Sequence, residues 1–208
     1  MGCGDGRLAS VLTRNFKIDQ YSSFDVNQAC INYLEKTIGK KYPKFSFVYS
    51  DLYHSYYNPA GKLKTETYIF PYKDEKFNIV FLNSIFTHFL PNQIFHYLKE
   101  INRVLIERGI IFATYFIANR ESVKLDSKNL TSKDLLCGKK SLLNYKYDDY
   151  WVRDRDVRER IVIVTENWLR KAYKIAGLKI SKVIWGTWCG RAKNQHNTQQ
   201  DLVIGLKI

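Results

Sequence analysis

Three glycines at alternate positions stand at the start of the chain, in the run Gly2-Cys3-Gly4-Asp5-Gly6, and a helical pattern follows them directly. Glycine has no Cβ, so the backbone at such positions can turn tightly and lie against a ligand. The spacing differs from G-x-G-x-x-G, whose third glycine serves helix packing beside a pyrophosphate. Such a loop before a helix predicts close backbone contact with a small ligand, although the pentapeptide alone also fits a surface turn.

Two aspartates follow the loop, at the ends of two successive strand patterns. Asp25 ends the pattern that begins at Tyr21, and Asp51 follows the pattern Phe45–Tyr49. Ligands of open α/β sheets bind outside the carboxyl ends of the strands, where an acid can accept both hydroxyls of a ribose. The second carboxylate can accept a hydrogen bond from an adenine amino group. Each aspartate alone also fits a helix cap or a turn, but the loop and both acids in this order predict a site for an adenosine-containing ligand.

The hydrophobic pattern supplies the elements that would hold these residues. It predicts helices over 8–16, 27–38, 91–105 and 169–176, and strands over 21–26, 45–49, 77–82, 110–117, 178–185 and 202–208. Asn27 can cap the second helix, and Pro91 would begin the third. The buried face of the second helix would hold Cys30, Tyr33, Leu34, Thr37 and Ile38.

The alternation of strands and helices predicts an α/β fold, with a mostly parallel sheet and helices on both faces. No helix separates the last two strands, so we expect these two strands to pair antiparallel at one edge of the sheet. Residues 1–208 would form a single domain, in which the polar stretch 118–165 is a lid-like insertion with helices of its own. The alternative for that stretch is a solvated insertion with salt-bridged faces.

The loop Gly186–Gln200 would leave the sheet on the ligand side. Its Trp188 and Arg191 are the candidate substrate-binding residues, as an aromatic and basic wall beside the acceptor. The alternative is a solvated hairpin loop. His88 is the candidate catalytic residue, because it follows the predicted strand 77–82 at the carboxyl edge and can titrate near neutrality. The alternative for His88 is packing at a helix start.

Composition limits the class of protein further. The 208 residues contain no run of 18 apolar residues, and the first residues lack the basic and apolar parts of a signal peptide, so we predict a cytoplasmic location. The four cysteines (Cys3, Cys30, Cys137 and Cys189) are far apart, which favours reduced thiols and no metal site. The net charge is +13, and eight Lys/Arg against one acid between Trp168 and Ile208 predict a basic C-terminal face.

The run Gly2–Arg7, then Asp25, then Asp51, resembles the first three motifs of the class I S-adenosylmethionine-dependent methyltransferases. The stretches 70–80, 84–88 and 97–105 are similar to the approach to that family's fourth strand and to the loop and helix after it. The resemblance implies a Rossmann-like fold and S-adenosyl-L-methionine as the cofactor. It also implies the cofactor-binding residues Gly2, Gly4, Asp25, Asp51, Leu52 and Asn83.

The family's first strand, with its terminal acid, would precede Gly2. We therefore expect the functional protein to begin upstream of Met1. The Pro-Gly-Gly that customarily follows the long helix is replaced by Glu107-Arg108-Gly109.

We thus expect methyl transfer to an oxygen or nitrogen atom of a small or medium acceptor, with an anionic or sugar-like one favoured by the loop that carries Trp188 and Arg191. An RNA methyltransferase is the alternative that the charge of +13 favours. Against it, the strand 77–82, which would correspond to that family's fourth strand, ends in Asn83-Ser84 and lacks the Pro-Pro-aromatic signature of enzymes that methylate nucleobase amines. A non-catalytic remnant or binding module is the alternative from another class.

Overall fold

The computed structural model describes residues 1–127 and 141–208, which form two compact units, Met1–Tyr68 and Ile69–Ile208. Cys137 and residues 128–140 of the predicted insertion lie outside the described residues. In the part of the chain that is described, no helix is both long enough and apolar enough to cross a membrane.

The first unit is built on two parallel strands with helices before each of them. Its elements are α1 (Arg7–Asn15), β1 (Tyr21–Asp25), α2 (Gln28–Leu34) and β2 (Phe45–Tyr49). A π-helical turn, Glu35–Gly39, continues α2, and a 3-10 turn covers Thr65–Thr67. β1 and β2 pair in parallel, as predicted, with Tyr21 opposite Phe45. Their core consists of Cys3, Ala9, Ile31, Leu34, Phe45 and Phe47.

The buried face of α2 differs from the predicted one. Asn27 caps the helix as expected, since its Oδ1 accepts a hydrogen bond from Cys30 N at 3.1 Å. Ile31 and Leu34 are buried, however, whereas Tyr33 is 58% exposed. The helix turns its purely aliphatic side to the core and leaves the amphipathic phenol of Tyr33 outside.

The second unit contains the remaining elements. In chain order they are β3 (Phe77–Leu82), α3 (Pro91–Val104), β4 (Leu105–Tyr115), β5 (Ile117–Ala118), α4 (Arg120–Ser127), β6 (Tyr145–Lys146), β7 (Tyr150–Val152), β8 (Val162–Thr165), α5 (Glu166–Ile175), β9 (Leu178–Ile184) and β10 (Asp201–Lys207). Two 3-10 turns cover Phe86–His88 and Arg158–Arg160.

Four strands form the main sheet of this unit, in the order β3-β4-β10-β9. β3 and β4 are parallel, and β10 is antiparallel to both of its neighbours. This is the predicted α/β, Rossmann-like arrangement with an antiparallel last strand. The last two strands pair antiparallel at one edge of the sheet, as predicted, with β9 outermost and β10 between β9 and β4.

β4 begins at Leu105, five residues before the predicted start at 110, because α3 ends at Val104 and passes directly into the strand. Arg108 adopts a left-handed conformation, φ 59°, and the register with β3 shifts between Phe77 and Ile79. The predicted turn at Glu107-Arg108-Gly109 is therefore a bend within a longer strand.

The stretch predicted as an insertion contains a small sheet. Its strand order is β5-β8-β7-β6, and α4 is the one α-helix in its described residues, where we expected several. Strands form here because residues 150–152 and 162–165 are all β-branched or aromatic. A core cluster consists of Phe116, Ala118, Leu142, Ile161, Ile163, Trp188 and Cys189.

Candidate functional site

The glycine loop is fastened to the end of β1 in the first unit. Gly2 N donates a hydrogen bond to Phe24 O at 2.9 Å, and Gly4 N donates one to the Asp25 carboxylate at 2.8 Å. Gly2, Gly4 and Gly6 all have positive φ, of 64°, 47° and 86°. Glycine adopts this left-handed backbone at little cost. The first two predicted motifs are therefore one hydrogen-bonded unit.

Gly4 and Gly6 have different surroundings. A Cβ built on Gly4 would meet no atom within 4 Å, so this part of the loop faces open space. A Cβ on Gly6 would lie 2.3 Å from Leu34 Cδ2, so the absence of a side chain there allows α1 and α2 to pack closely. A ligand can therefore approach the backbone at Gly4, whereas Gly6 serves the core.

Asp25 is half-buried and each of its carboxylate oxygens accepts one backbone hydrogen bond. Oδ2 accepts from Gly4 N, and Oδ1 accepts from Asn27 N at 2.9 Å. A carboxylate offers about four acceptor positions, so each oxygen can accept a further hydrogen bond. Such a fixed carboxylate is suited to hold two neighbouring hydroxyl groups.

Asp51 and Leu52 lie beside Asp25, because Ser50 N donates a hydrogen bond to Asp25 O at 2.9 Å. The Asp51 carboxylate accepts from the Tyr49 hydroxyl at 3.0 Å, and this hydrogen bond raises the pKa of Tyr49. Leu52 is buried, and its N–H donates to Ser50 O at 2.7 Å. The structure thus groups five predicted cofactor residues: Gly2, Gly4, Asp25, Asp51 and Leu52.

The sixth predicted cofactor residue, Asn83, belongs to the second unit and is exposed directly after β3. Ser84 beside it has φ 56°, and its N–H donates to Thr114 Oγ1 at 2.8 Å. Its hydroxyl donates to Gln200 Oε1 at 3.1 Å. The end of β3 is thereby fixed to the end of β4 and the start of β10, while the role of Asn83 stays a prediction.

His88 lies half-buried in the 3-10 turn after β3. Its Nδ1 is 2.9 Å from Arg160 O and 3.3 Å from Glu159 O. A carbonyl oxygen can only accept, so these contacts favour a ring that carries its proton on Nδ1. In the neutral ring Nε2 is then the basic nitrogen, which is the state that a general base requires.

Trp188 and Arg191 do not lie on a solvated loop surface. Trp188 is fully buried, and its Nε1 donates to Asp201 Oδ2 at 2.7 Å. The side chain of Arg191 is only 7% exposed, and its guanidinium contacts Asp201 at 3.3 Å, Glu121 at 2.8 Å and Asn119 at 3.1 Å. Both side chains therefore fasten the loop Gly186–Gln200 from within the second unit.

Asp201 is the central group of this arrangement, although it is not among the residues predicted from the sequence. Its buried carboxylate also accepts hydrogen bonds from Gly186 N at 2.7 Å and Ile117 N at 2.8 Å. Desolvation by burial raises the pKa of Asp201 to about 6, against the opposing effect of these hydrogen bonds and of Arg191. One signal could have indicated its importance, since it is the single acid among eight Lys/Arg between Trp168 and Ile208.

Solved proteins with similar folds support the Rossmann-like class. An S-adenosylmethionine-dependent methyltransferase from Methanosarcina mazei has 16% identity and a TM-score of 0.57, over 100% of this chain and 90% of its own. The 1,6-didemethyltoxoflavin-N1-methyltransferase of Burkholderia thailandensis has 12% identity and a TM-score of 0.57, over 99% and 68%. The [4+2]-cyclase SpnF has 16% identity and a TM-score of 0.55, over 88% of this chain, which spans only 52% of that protein. At such identities the likeness establishes the fold alone.

Residues 1–113, more than half of the chain, match the model of a family described as a methyltransferase domain. The chain therefore belongs to the class I S-adenosylmethionine-dependent methyltransferases, an enzyme family whose cofactor is S-adenosyl-L-methionine.

Proposed function

We propose that the chain binds S-adenosyl-L-methionine through Gly2, Gly4, Asp25, Asp51 and Leu52 and transfers its methyl group to a nitrogen or oxygen atom of a small or medium acceptor. The hydrogen bond from Gly4 N to Asp25, beside the open space at Gly4, is the observation that carries the proposal. It joins a backbone that a ligand can approach to a carboxylate that can hold a ribose.

Each residue has a distinct task in this proposal. Asp25 accepts the ribose hydroxyls with the lone pairs that Gly4 and Asn27 leave over. Asp51 accepts from the adenine amino group, and the Tyr49 hydroxyl holds its carboxylate in place. When bound, the cofactor supplies a methyl group that its sulfonium activates for in-line displacement. The protein then contributes mainly proximity and alignment.

His88 is the proposed general base for acceptors that must lose a proton. The carbonyl groups of Glu159 and Arg160 hold the Nδ1 side of its ring, which directs the basic lone pair to Nε2. A proton taken up at Nε2 would give an imidazolium whose Nδ1–H still donates to Arg160 O. A base with a pKa near the working pH is the efficient kind for this task.

The acceptor proposed is a small molecule, with nitrogen or oxygen as the methylated atom. The Burkholderia thailandensis relative of similar fold is named as an N1-methyltransferase of a small compound, which supports this size class. Trp188 and Arg191 would act on the acceptor indirectly, by holding the loop Gly186–Gln200, because their polar groups are directed to Asp201. An anionic or sugar-like acceptor would then have to be recognised by other residues of that loop.

Replacement of Asp25 tests the cofactor assignment. Asp25→Ala removes a charge-assisted acceptor, so binding of S-adenosylhomocysteine should weaken by about 1.5–3 kcal/mol. Isothermal titration calorimetry measures this directly. Asp19→Ala is the matched control, since Asp19 is an exposed carboxylate paired with Lys44 on the same unit. Binding by Asp25→Ala that equals the parent would remove the ribose assignment.

RNA methylation is a second candidate, because one long segment of the second unit contains basic residues and no acidic ones. From Asn167 to Gln200 there are seven Lys/Arg and no acid. Transfer of labelled methyl groups to total RNA, against transfer to a small-molecule library, distinguishes the two acceptor classes.

A further inference from the structure

A cleft of about 480 Å³ lies between α1 and the helical segment formed by α2 and its continuation. Residues at helical spacing face each other across it, with Arg7, Ser10 and Arg14 on α1 and Tyr33, Thr37 and Lys41 on the other side. Gly2, Gly4, Asp25 and Asp51 do not line the cleft. Asp5 and Gly6, at the end of the glycine loop, do line it, so the cleft adjoins that loop without including the proposed cofactor-binding residues. Its volume suits a small organic ligand.

The cleft carries an excess of positive charge. Three cations, Arg7, Arg14 and Lys41, line it with one acid, Asp5. Arg7 pairs with Asp5 at 3.2 Å, and both side chains are well exposed, so the pair is weakly held. In the described residues, Arg14 and Lys41 form no ion pair. Two cations are thus available for an anionic ligand.

The other lining groups suit the uncharged part of a nucleotide. Tyr33 presents a ring that is 58% exposed, and Tyr42 is held by Phe45 at a ring distance of 5.3 Å. The hydroxyls of Thr13 and Thr37 donate to Ser10 O at 3.0 Å and Tyr33 O at 2.7 Å. Their oxygens are thereby oriented as acceptors for a ligand's hydroxyl groups.

We propose that this cleft binds the phosphate ester of a nucleotide, either a free mononucleotide or a nucleotide of an RNA chain. Arg14 and Lys41 hold the phosphate, because guanidinium and ammonium groups form the strongest hydrogen bonds to phosphate oxygens. Tyr33 stacks on the base, a contact that every base permits. Thr13 and Thr37 accept from the ribose hydroxyls. None of the proposed cofactor-binding residues lines this site.

Uridine 5′-monophosphate is the probe, since it lacks the adenine that the cofactor site would recognise. Calorimetry is performed with S-adenosylhomocysteine present. Arg14→Gln and Lys41→Gln should each weaken binding of the nucleotide at least tenfold, the factor that corresponds to about 1.4 kcal/mol. Lys36→Gln, on the same helical segment but outside the cleft, is the matched control and should change binding less than twofold.

Further ligands separate the contributions of phosphate and base. Inorganic phosphate and uridine should each bind at least tenfold more weakly than the nucleotide, and Tyr33→Leu should weaken nucleotide binding without affecting inorganic phosphate. A pentauridylate without terminal phosphates distinguishes the two sources. Tighter binding of the oligonucleotide assigns the site to RNA, and tighter binding of the mononucleotide assigns it to a free nucleotide.

Three results would overturn the proposal. They are no binding of uridine 5′-monophosphate or of the pentauridylate, a loss of nucleotide affinity in Lys36→Gln equal to that in Arg14→Gln and Lys41→Gln, or equal affinity for inorganic phosphate and the nucleotide. Circular dichroism of each variant verifies that it is folded. Unchanged affinity for S-adenosylhomocysteine in Arg14→Gln and Lys41→Gln keeps this test separate from that of the cofactor site.

Discussion

At the level of residues, Asp201 explains why Trp188 and Arg191 in the loop Gly186–Gln200 are buried and do not form the predicted acceptor-binding wall. In a polar loop, an indole and a guanidinium such as those of Trp188 and Arg191 suggest contact with an acceptor. Asp201 is the single acid among the Lys/Arg residues of this segment, but that alone does not indicate that a carboxylate ten residues downstream of Arg191 would be buried and would bind both. By contrast, Gly4 and Asp25 could be predicted, because their task depends on the ends of elements that are local in the sequence.

Truncation of Arg191 should therefore impair folding. Arg191→Ala leaves the buried carboxylate of Asp201 without its cationic partner, which should lower the free energy of unfolding by about 3 kcal/mol. Urea denaturation followed by tryptophan fluorescence measures the loss. Lys193→Ala, an exposed cation in the same loop, should be neutral. A parent-like Arg191→Ala would return the guanidinium to its predicted place beside the acceptor.

The raised pKa of Asp201 also makes a signed prediction for pH dependence. Burial raises its pKa to about 6 in the folded chain from an ordinary 3.8, so the folded state binds this proton more tightly than the unfolded state. The stabilisation from this group is then complete below about pH 4 and is lost as the pH rises through 6. The difference between the folded and unfolded pKa corresponds to on the order of 3 kcal/mol of unfolding free energy.

Asp201→Asn removes this titration. The parent should therefore lose stability relative to Asp201→Asn as the pH rises from 4 to 7. The unfolding free energy of the parent minus that of the variant should decrease over this range. Asp148→Asn, at an exposed position of the same unit, should show a constant difference over the same range. A flat difference for Asp201→Asn would mean that the carboxylate has an ordinary pKa in the folded chain.

At the level of elements, Gly4 and Gly6 in the loop before α1 have different roles, although both have a left-handed backbone. Gly4→Ala and Gly6→Ala both place a Cβ on a left-handed backbone, which costs about 1–2 kcal/mol. Only the Cβ at Gly6 also collides with Leu34, so Gly6→Ala should lose about 1–3 kcal/mol more. Gly4→Ala should instead weaken S-adenosylhomocysteine binding. Urea denaturation and calorimetry on the pair test this, and equal stability losses would contradict it.

The elements that the sequence predicted well are those whose signals are local. Pro91 begins α3, and the Gln93 side chain accepts from Leu90 N at 2.8 Å to close its first turn. The continuous apolar run of β3 was also predicted with its bounds. The antiparallel pairing of β9 and β10 at one edge was predicted from the lack of a helix between them. Which of the two is outermost was not, because strand order in a sheet depends on contacts between residues far apart in the sequence. The small sheet of β5 to β8 was not predicted either, because strands of two to four residues are too short to show a clear hydrophobic period.

Net charge is a property of the whole molecule. In the second unit, some basic side chains are neutralised by ion pairs with acidic residues, and others form no ion pair in the described residues. Arg170 pairs with Glu166, Arg191 with Glu121 and Asp201, and Lys207 with Glu75. Four lysines of α5 and β9 form no ion pair in the described residues: Lys171, Lys174, Lys179 and Lys182. All four are exposed, and β9 is an edge strand, where lysine also opposes pairing with other chains. The predicted basic C-terminal face is thus composed mainly of lysines on these two elements.

The last prediction concerns this basic face and distinguishes the two proposed acceptor classes, RNA and a small molecule. If RNA is the acceptor, replacement of the four lysines by glutamine removes about four phosphate contacts. The slope of log affinity for single-stranded RNA against log salt should then become less steep by about 2.8, while S-adenosylhomocysteine binding stays constant. If the acceptor is small, turnover on it should be the same in the quadruple variant and the parent. Fluorescence anisotropy at several salt concentrations and a methyl-transfer assay measure the two quantities. An unchanged salt slope together with unchanged turnover on RNA would show that the lysines serve solubility and edge protection, because phosphate contacts cannot be lost without a change in counterion release.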